Sequence, residues 1–255
     1  MSNAVHYHVR DGIAEILLDS PPVNALTIAM LEQVIAGFRR AAADDAVRAV
    51  VLSSAVPRRF CAGLDLSNLL GAPEAEIRRL LNALYIELSD AQHALGKPSV
   101  AAITGAARGG GMTIAISCDV LLAAESASFG YPEIDIAVLP AIHFAHLPRI
   151  VGRHRAFELL FTGRSFDAAE AAALGLVSHV YPDAELHDRA HALARTFAAK
   201  PPQAMRAARE AFLHANDAGY RLSIRKAVDD FCRIATGREA QEGLGAFLAK
   251  RKPRW

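Results

Sequence analysis

Four nearly unbroken aliphatic runs, Ile13 to Leu18, Val47 to Leu52, Val100 to Thr104 and Val120 to Ala124, constrain this chain more than any other feature. A strand with one wet face alternates polar and apolar residues, whereas a strand without that alternation is covered on both faces, as in a parallel sheet. The first run ends at Asp19-Ser20-Pro21-Pro22, because paired prolines cannot continue a sheet ladder. From Thr27 the positions Leu31, Val34, Ile35, Phe38 and Ala42 follow helical spacing, with Thr27 placed to cap the first free amides and Asp44-Asp45 closing the segment. Strand, helix, strand is the order of an α/β protein.

The pattern repeats further on. Phe60 to Leu66 reads as a loop leading into a helical stretch from about Glu74 to Leu95. After the strand Val100 to Thr104 comes Gly105-Ala106-Ala107-Arg108-Gly109-Gly110-Gly111, then an apolar helix from Met112 to Cys118. Phe129 to Ala137 reads as a short extended segment interrupted by Pro132, and from Ile142 helices dominate, punctuated by Gly163 and Gly175. Past Lys200-Pro201-Pro202, two amphipathic helices are expected over Gln203 to Asn216 and Tyr220 to Ala235. They are too small to bury their own apolar faces, so they pack on the main domain, on a partner subunit, or on both. The expected division is a core over 1–199 and a helical segment over 200–255.

With 52% hydrophobic and 22% charged residues in 255, the chain can bury a sizeable core, and global disorder is excluded. Lys plus Arg number 28 against 27 for Asp plus Glu, which leaves no overall field for nucleic acid or an anionic membrane. No basic aromatic stripe supports nucleic-acid binding either. Cys61, Cys118 and Cys232 are odd in number and too widely spaced for a paired metal motif, which fits a reduced compartment. The N-terminus lacks the pattern of a signal peptide, and the longest apolar stretch, around Val120 to Ala124, stops at Glu125, far short of the ~20 residues a membrane span needs. A soluble cytoplasmic protein is expected.

Three features suggest chemistry. The Gly109-Gly110-Gly111 triplet at a strand-to-helix junction either packs the helix tightly on the sheet or aims free amides at an oxyanion. It is neither a P-loop, since no Gly-Lys-Ser/Thr follows, nor a dinucleotide fingerprint. The Ala62-Gly63-Leu64-Asp65 loop follows a buried strand and is able to present amides to the same crevice; Cys61 beside it reads as a buried structural thiol. Glu133, in Tyr131-Pro132-Glu133, is flanked by apolar residues that would desolvate its carboxylate and raise its pKa, which suits proton transfer, although a Glu after Pro is ordinarily a solvated turn residue.

Several segments in order resemble one family. They are Asn24-Ala25-Leu26, Phe60-Cys61-Ala62-Gly63-Leu64-Asp65-Leu66, Lys97-Pro98 through the triplet to Cys118-Asp119, and Phe129-Gly130-Tyr131-Pro132-Glu133-Ile134. Thr162-Gly163-Arg164, Ala172 to Val177 and the ending Ala246-Phe247-Leu248-Ala249-Lys250-Arg251-Lys252-Pro253 extend the match over nearly the whole chain. The sequence resembles the enoyl-CoA hydratase/isomerase, or crotonase, superfamily. That resemblance implies an α/β spiral of strand-strand-helix units, a C-terminal helical segment that mediates trimerisation, often into hexamers, and a coenzyme A thioester as substrate. It further implies that the backbone amides of Leu64 and Gly110 hold the thioester oxygen, with Ala62, Asp65, Thr113 and Pro140 also at the substrate site. No metal is implied, and no cofactor other than the coenzyme A of the substrate.

Hydratases of the family carry two glutamates, of which Glu133 matches the second, while Thr113 stands in place of the first. A hydroxyl cannot act as a carboxylate base, so moving a double bond with one carboxylate is favoured over adding water with two. Pro140 stands where dienoyl-CoA isomerases and aryl-CoA dehalogenases of the superfamily carry Asp, which disfavours both activities. The alternatives are a 2-enoyl-CoA hydratase and a non-catalytic acyl-CoA-binding oligomer. A protease of the related Clp type lacks the required serine. His143 and His146, three residues apart, are open to a zinc site, an auxiliary base, or an ordinary surface or interface role; no third ligand is evident, so no metal is expected there. His6 and His8 read as structural or exposed. The basic tail Lys250-Arg251-Lys252-Pro253-Arg254 reads as a solvated end, which the resemblance would bring near the phosphates of coenzyme A.

Overall fold

In the computed structural model, which describes residues 4–217 and 219–255, the aliphatic runs meet in one six-stranded sheet. The chain opens with β1 (Val5–Arg10), β2 (Ile13–Leu18) and β3 (Ala25–Leu26), then α1 (Ile28–Ala43) and β4 (Ala49–Ser54). Short strands β5 (Arg59–Cys61) and β6 (Gly63–Leu64) precede α2 (Glu74–Leu81), a π-helical turn over Asn82–Glu87 and α3 (Leu88–Ala94). Next come β7 (Ser99–Ile103), β8 (Ala106–Arg108), α4 (Gly110–Ile116), β9 (Val120–Ala124), β10 (Ser128–Gly130) and a 3-10 turn over Pro132–Ile136. The remainder is α5 (Ala141–Val151), α6 (Arg153–Thr162), β11 (Ser165–Asp167), α7 (Ala168–Ala173), β12 (His179–Tyr181), α8 (Leu186–Ala198), α9 (Pro202–Asn216), α10 (Tyr220–Ala235) and α11 (Arg238–Leu248).

The large sheet has the order β1-β2-β4-β7-β9-β12, parallel throughout except for the β1-β2 hairpin. A second sheet runs β11-β10-β8-β5, and β3 pairs with β6 alone. Successive pairs β4/β5, β7/β8 and β9/β10 each put one strand in either sheet before the chain turns into helical structure. This is the strand-strand-helix spiral that the resemblance implied. Strands β4 and β7 are buried almost end to end, which is why they show no polar alternation.

Helix α1 starts where the sequence places it. Thr27 Oγ1 accepts from the Met30 amide at 3.2 Å, and Met30, Leu31, Val34, Ile35 and Phe38 form the buried stripe. At its far end the Lys97 ammonium donates to the carbonyls of Ala41, Ala42 and Asp44, which satisfies acceptors the helix leaves open.

Three expectations need correction. The segment Phe60 to Leu66 holds β5 and β6 rather than a plain loop, because Asn24 and Val23 supply it with hydrogen-bond partners. Strand β8 lies inside the glycine stretch, and α4 begins at Gly110 rather than Met112, since two glycines enter the first turn. Glu133 sits in a 3-10 turn rather than an extended segment, because Pro132 suits the first turn of a helix and has no amide for a sheet.

The C-terminal helices divide in their packing. Helix α10 buries Ile224, Ala227, Val228, Phe231 and Cys232 and packs against α5, α2 and the π-helical turn. Helix α9 buries only Arg209, and its Phe212 is 66% exposed. What ties α9 down is charge: Arg209 Nε donates to Asp119 Oδ2 at 2.9 Å and Nη2 to the Gln92 carbonyl at 2.9 Å. Asp119 also accepts from the Ser99 amide and hydroxyl, each at 2.8 Å. Arg209→Leu leaves that carboxylate without its cation and should cost about 3 kcal/mol. Thermal unfolding should show a fall in Tm of roughly 5–10 °C, partly restored when Asp119→Asn is added.

Candidate active site

The site is built outward from Asn24. This buried residue adopts φ +53°, and its side-chain amide donates to Ser54 Oγ at 2.8 Å and to the Phe60 carbonyl at 2.9 Å. Its Oδ1 accepts from the Ser20 amide at 2.7 Å. Asn24 thereby clamps β3 to β5. The Ala62 amide donates to the Val23 carbonyl and the Asp65 amide to the Leu26 carbonyl, both at 3.0 Å, so the two ends of the Leu64 segment are fixed. The Asp65 carboxylate caps the following 3-10 turn, accepting from the Ser67 amide at 3.1 Å and the Ser67 hydroxyl at 2.7 Å. Asp65 therefore shapes the loop, and Ala62 lies at its exposed edge.

Each glycine of the triplet meets a different neighbour. A methyl group on Gly111 would lie 2.3 Å from the Cys61 carbonyl oxygen, an overlap that backbone cannot relieve. One on Gly110 would lie 3.4 Å from the Leu64 amide nitrogen and 3.3 Å from side-chain carbons of Leu26 and Leu84. One on Gly109, where φ is +47°, would lie 2.9 Å from Glu133 Oε1. The Leu64 amide nitrogen and the Glu133 carboxylate thus border the same glycine turn, one beside Gly110 and the other beside Gly109. The first helical hydrogen bond of α4 is Thr113 amide to Gly109 carbonyl, at 3.1 Å, so the Gly110 amide precedes the helical ladder.

Glu133 is sealed from water at Oε2, which has no hydrogen-bond partner. Burial raises its pKa to about 7, against a smaller lowering by its own backbone amide. Nothing near it restores full ionisation. The His143 ring is 1% exposed, and burial, helped by the neighbouring His146, pushes its pKa down to about 3, so it is neutral. Its Nε2 lies 3.3 Å from Thr113 Oγ1 and 3.4 Å from the Gly109 carbonyl, and its ring centre is 4.5 Å from that of buried Tyr131. Thr113 and His143 thus form an uncharged contact.

Of the residues singled out from sequence, Leu64, Gly110 and Glu133 come together. Thr113 lies one helical turn further along α4, 3% exposed. Pro140 is buried at the N-cap of α5, where its carbonyl accepts from the His143 amide at 2.9 Å and sets the start of the histidine-bearing helix. His143 is thus no surface residue, because α5 presses it beneath Tyr131. His146 parts from it, half-buried, with its ring 6.5 Å from Tyr220. Cys61 is the buried structural thiol expected: its Sγ lies 3.0 Å from the Asn24 carbonyl, and burial pushes its pKa up to about 12. Arg251 of the basic tail is bound to Glu242 at 2.6 Å, which takes up its charge.

Two contributors escaped the sequence reading. The π-helical turn widens the expected helix between α2 and α3 and brings Leu84 against Gly110; an apolar run carries no signal for such a bulge. Tyr131 is fully buried with its hydroxyl unpartnered, beside Glu133, and its place next to the carboxylate was the available clue. A cleft of about 720 Å³ opens on the Thr113 side, lined by Leu84, Tyr85, Ile142, Phe212 and Tyr220 among others.

The family model described as enoyl-CoA hydratase/isomerase matches residues 8–255. The chain belongs to that family. A relative named probable enoyl-CoA hydratase 2, mitochondrial, from Arabidopsis thaliana is 37% identical, covering 95% of this chain and 81% of its own. A protein named carnitinyl-CoA dehydratase from Proteus mirabilis is 32% identical over 100% of this chain and 99% of its own. A solved structure, titled as an enoyl-CoA hydratase from Mycobacterium avium subsp. paratuberculosis K-10, superposes with a TM-score of 0.85 at 27% identity, covering 99% of this chain and 98% of that one. The fold is the crotonase fold, and the chain is an enzyme of the hydratase/isomerase class. Among the described residues no helix is long and apolar enough to cross a membrane.

The buried carboxylate has a measurable consequence for this family member. A folded-state pKa raised from 4.5 to about 7 means that the folded protein holds a proton more tightly than the unfolded chain. Stability associated with Glu133 is then complete below the unfolded value and is lost as pH rises through about 7. Glu133→Gln removes the buried charge, so at about pH 8 it should gain up to ~3 kcal/mol, less whatever the unpartnered amide costs. Melting curves against pH should show a higher Tm than wild type at alkaline pH, with the difference vanishing near pH 4.

Proposed function

We propose that this enzyme moves the double bond of a 3-enoyl-CoA thioester into conjugation, with Glu133 as the single proton carrier. The observation that carries the reading is one desolvated carboxylate set against the glycine turn that also borders the Leu64 amide, and the resemblance matches Thr113, a hydroxyl, to the hydratases' first glutamate. The thioester oxygen accepts from the two amides. Glu133 takes a proton from C2, and the electron pair moves onto the thioester oxygen as an enolate, which the amides stabilise. The Glu133 carboxyl then returns the proton at C4, leaving the double bond between C2 and C3. The proton that leaves is the one restored, so neither water nor any cofactor beyond the substrate's own coenzyme A enters the balance.

Other features support this reading. A pKa near 7 suits a group that must both take and give a proton at neutral pH. The apolar cleft beside Thr113 suits an acyl chain, and the open face of α9 suits association into a homotrimer or a dimer of trimers. Hydration of a 2-enoyl-CoA is the second reading, favoured by the names of the relatives, which are hydratases and a dehydratase. It would need a second proton-transfer group, and the neutral Thr113-His143 contact is a weak base.

Incubation with a 3-enoyl-CoA should yield a conjugated product of unchanged mass, detected by absorbance and mass spectrometry; hydration would instead add the mass of one water. Glu133→Gln should lower kcat at least ~100-fold with KM within a few-fold of wild type. For the wild type, the activity limb that reports the free carboxylate should rise with pH through about 7, and this limb should be absent from the variant.

A further inference from the structure

We propose that Glu15, His187 and His191 form a binding site for one divalent cation of zinc type, separate from the thioester site. Glu15 stands on β2, a strand of the large sheet whose Ile13, Ala14, Ile16 and Leu18 are all buried. His187 and His191 lie one turn apart on α8, which packs across β2 and β4 and aims both rings at this carboxylate. The three side chains each offer a ligand atom, and these atoms lie within 4.8 Å of one another.

The spacings fit a metal ion as well as they fit an ion pair. His187 Nε2 lies 3.0 Å from Glu15 Oε1, and His191 Nε2 lies 3.4 Å from Glu15 Oε2. Bonds of ~2.0–2.1 Å to a tetrahedral ion put neighbouring ligand atoms about 3.3 Å apart. Two imidazoles share one carboxylate here, and the second meets it loosely: buried His191 Nε2 lies 3.4 Å from Glu15 Oε2 without a well-formed hydrogen bond. A dication between the three groups would use that lone pair and the remaining carboxylate oxygen together.

The surroundings hold the ligands in place. Ser53 Oγ donates to Glu15 Oε1 at 2.6 Å, fixing the carboxylate from behind. His187 is 58% exposed at its side chain, which gives the ion a way in, while Glu15 and His191 are 16% and 19% exposed. A donor set of two imidazoles and one carboxylate favours a borderline ion such as Zn2+ over Ca2+ or Mg2+, which take oxygen ligands, and leaves one coordination position for water. None of the three residues lies on the elements that carry Leu64, Gly110 or Glu133. The ion would act as a clip between α8 and the sheet.

The test uses tag-free protein stripped with a chelator and titrated with Zn2+ by calorimetry and with Co2+ by visible absorption. One equivalent should bind, Co2+ should give the intense visible bands of a four-coordinate ion, and Tm should rise with Zn2+. Glu15→Gln and His191→Ala should each weaken Zn2+ binding at least ~10-fold, while His6→Ala and His8→Ala leave it unchanged. Should the two more buried positions fail to fold on substitution, the exposed His187→Ala should show the same loss. Absence of stoichiometric Zn2+ binding to the wild type would overturn the proposal, as would affinity that survives His187→Ala.

Discussion

Everything at the catalytic end of this protein depends on how closely the Cys61–Leu64 backbone and the Glu133 side chain approach Gly109-Gly110-Gly111. The Cys61 carbonyl occupies the space a side chain would take at Gly111, the Leu64 amide adjoins Gly110, and the Glu133 carboxylate rests on Gly109. Any larger residue at Gly111 would push β5 away from α4 and separate the two amides. On the proposed reading, the entropy that three glycines cost on folding is offset by two fixed donors, the Leu64 and Gly110 amides, that need no rearrangement when charge develops on the thioester oxygen.

The same packing gives Glu133 its character. A carboxylate with no cation beside it, its Oε2 shut off from water, is held near the midpoint of its titration at neutral pH, while burial keeps His143 in its neutral form. Chemistry and stability therefore pull in opposite directions at this position. The family's reaction asks for a desolvated base, and the fold bears the strain of an ionised group there above neutral pH. On the proposed reading, a hydroxyl rather than a carboxylate at Thr113 leaves a site that passes a proton along one substrate and is less suited to activating water.

Much of this was legible in the sequence, for physical reasons. Continuous aliphatic runs identified the doubly covered strands, Thr27 and the stripe from Leu31 to Phe38 identified α1, and the glycine triplet identified the start of α4 to within two residues. What escaped depends on partners distant in sequence. Strands β6 and β8 are too short to announce themselves and exist because Leu26 and Phe129 lie alongside. The π-helical turn has no compositional mark. The role of His143 stayed open because its own helix does not reveal that Tyr131 covers it, and the Glu15-His187-His191 cluster joins residues more than a hundred positions apart. Helix α9 was expected to bury an apolar face, yet in the single chain it is held by the Arg209-Asp119 pair.

The central claim is that the Leu64 and Gly110 amides grip and polarise a thioester carbonyl. The most direct measurement is isotope-edited infrared spectroscopy of an acyl-CoA, labelled with carbon-13 at its thioester carbonyl, bound to Glu133→Gln protein so that no turnover occurs. The account predicts a carbonyl stretch shifted to clearly lower frequency than that of the free thioester, because two hydrogen bonds draw electrons onto the oxygen. A bound thioester whose carbonyl absorbs at the frequency seen in apolar solvent would contradict it.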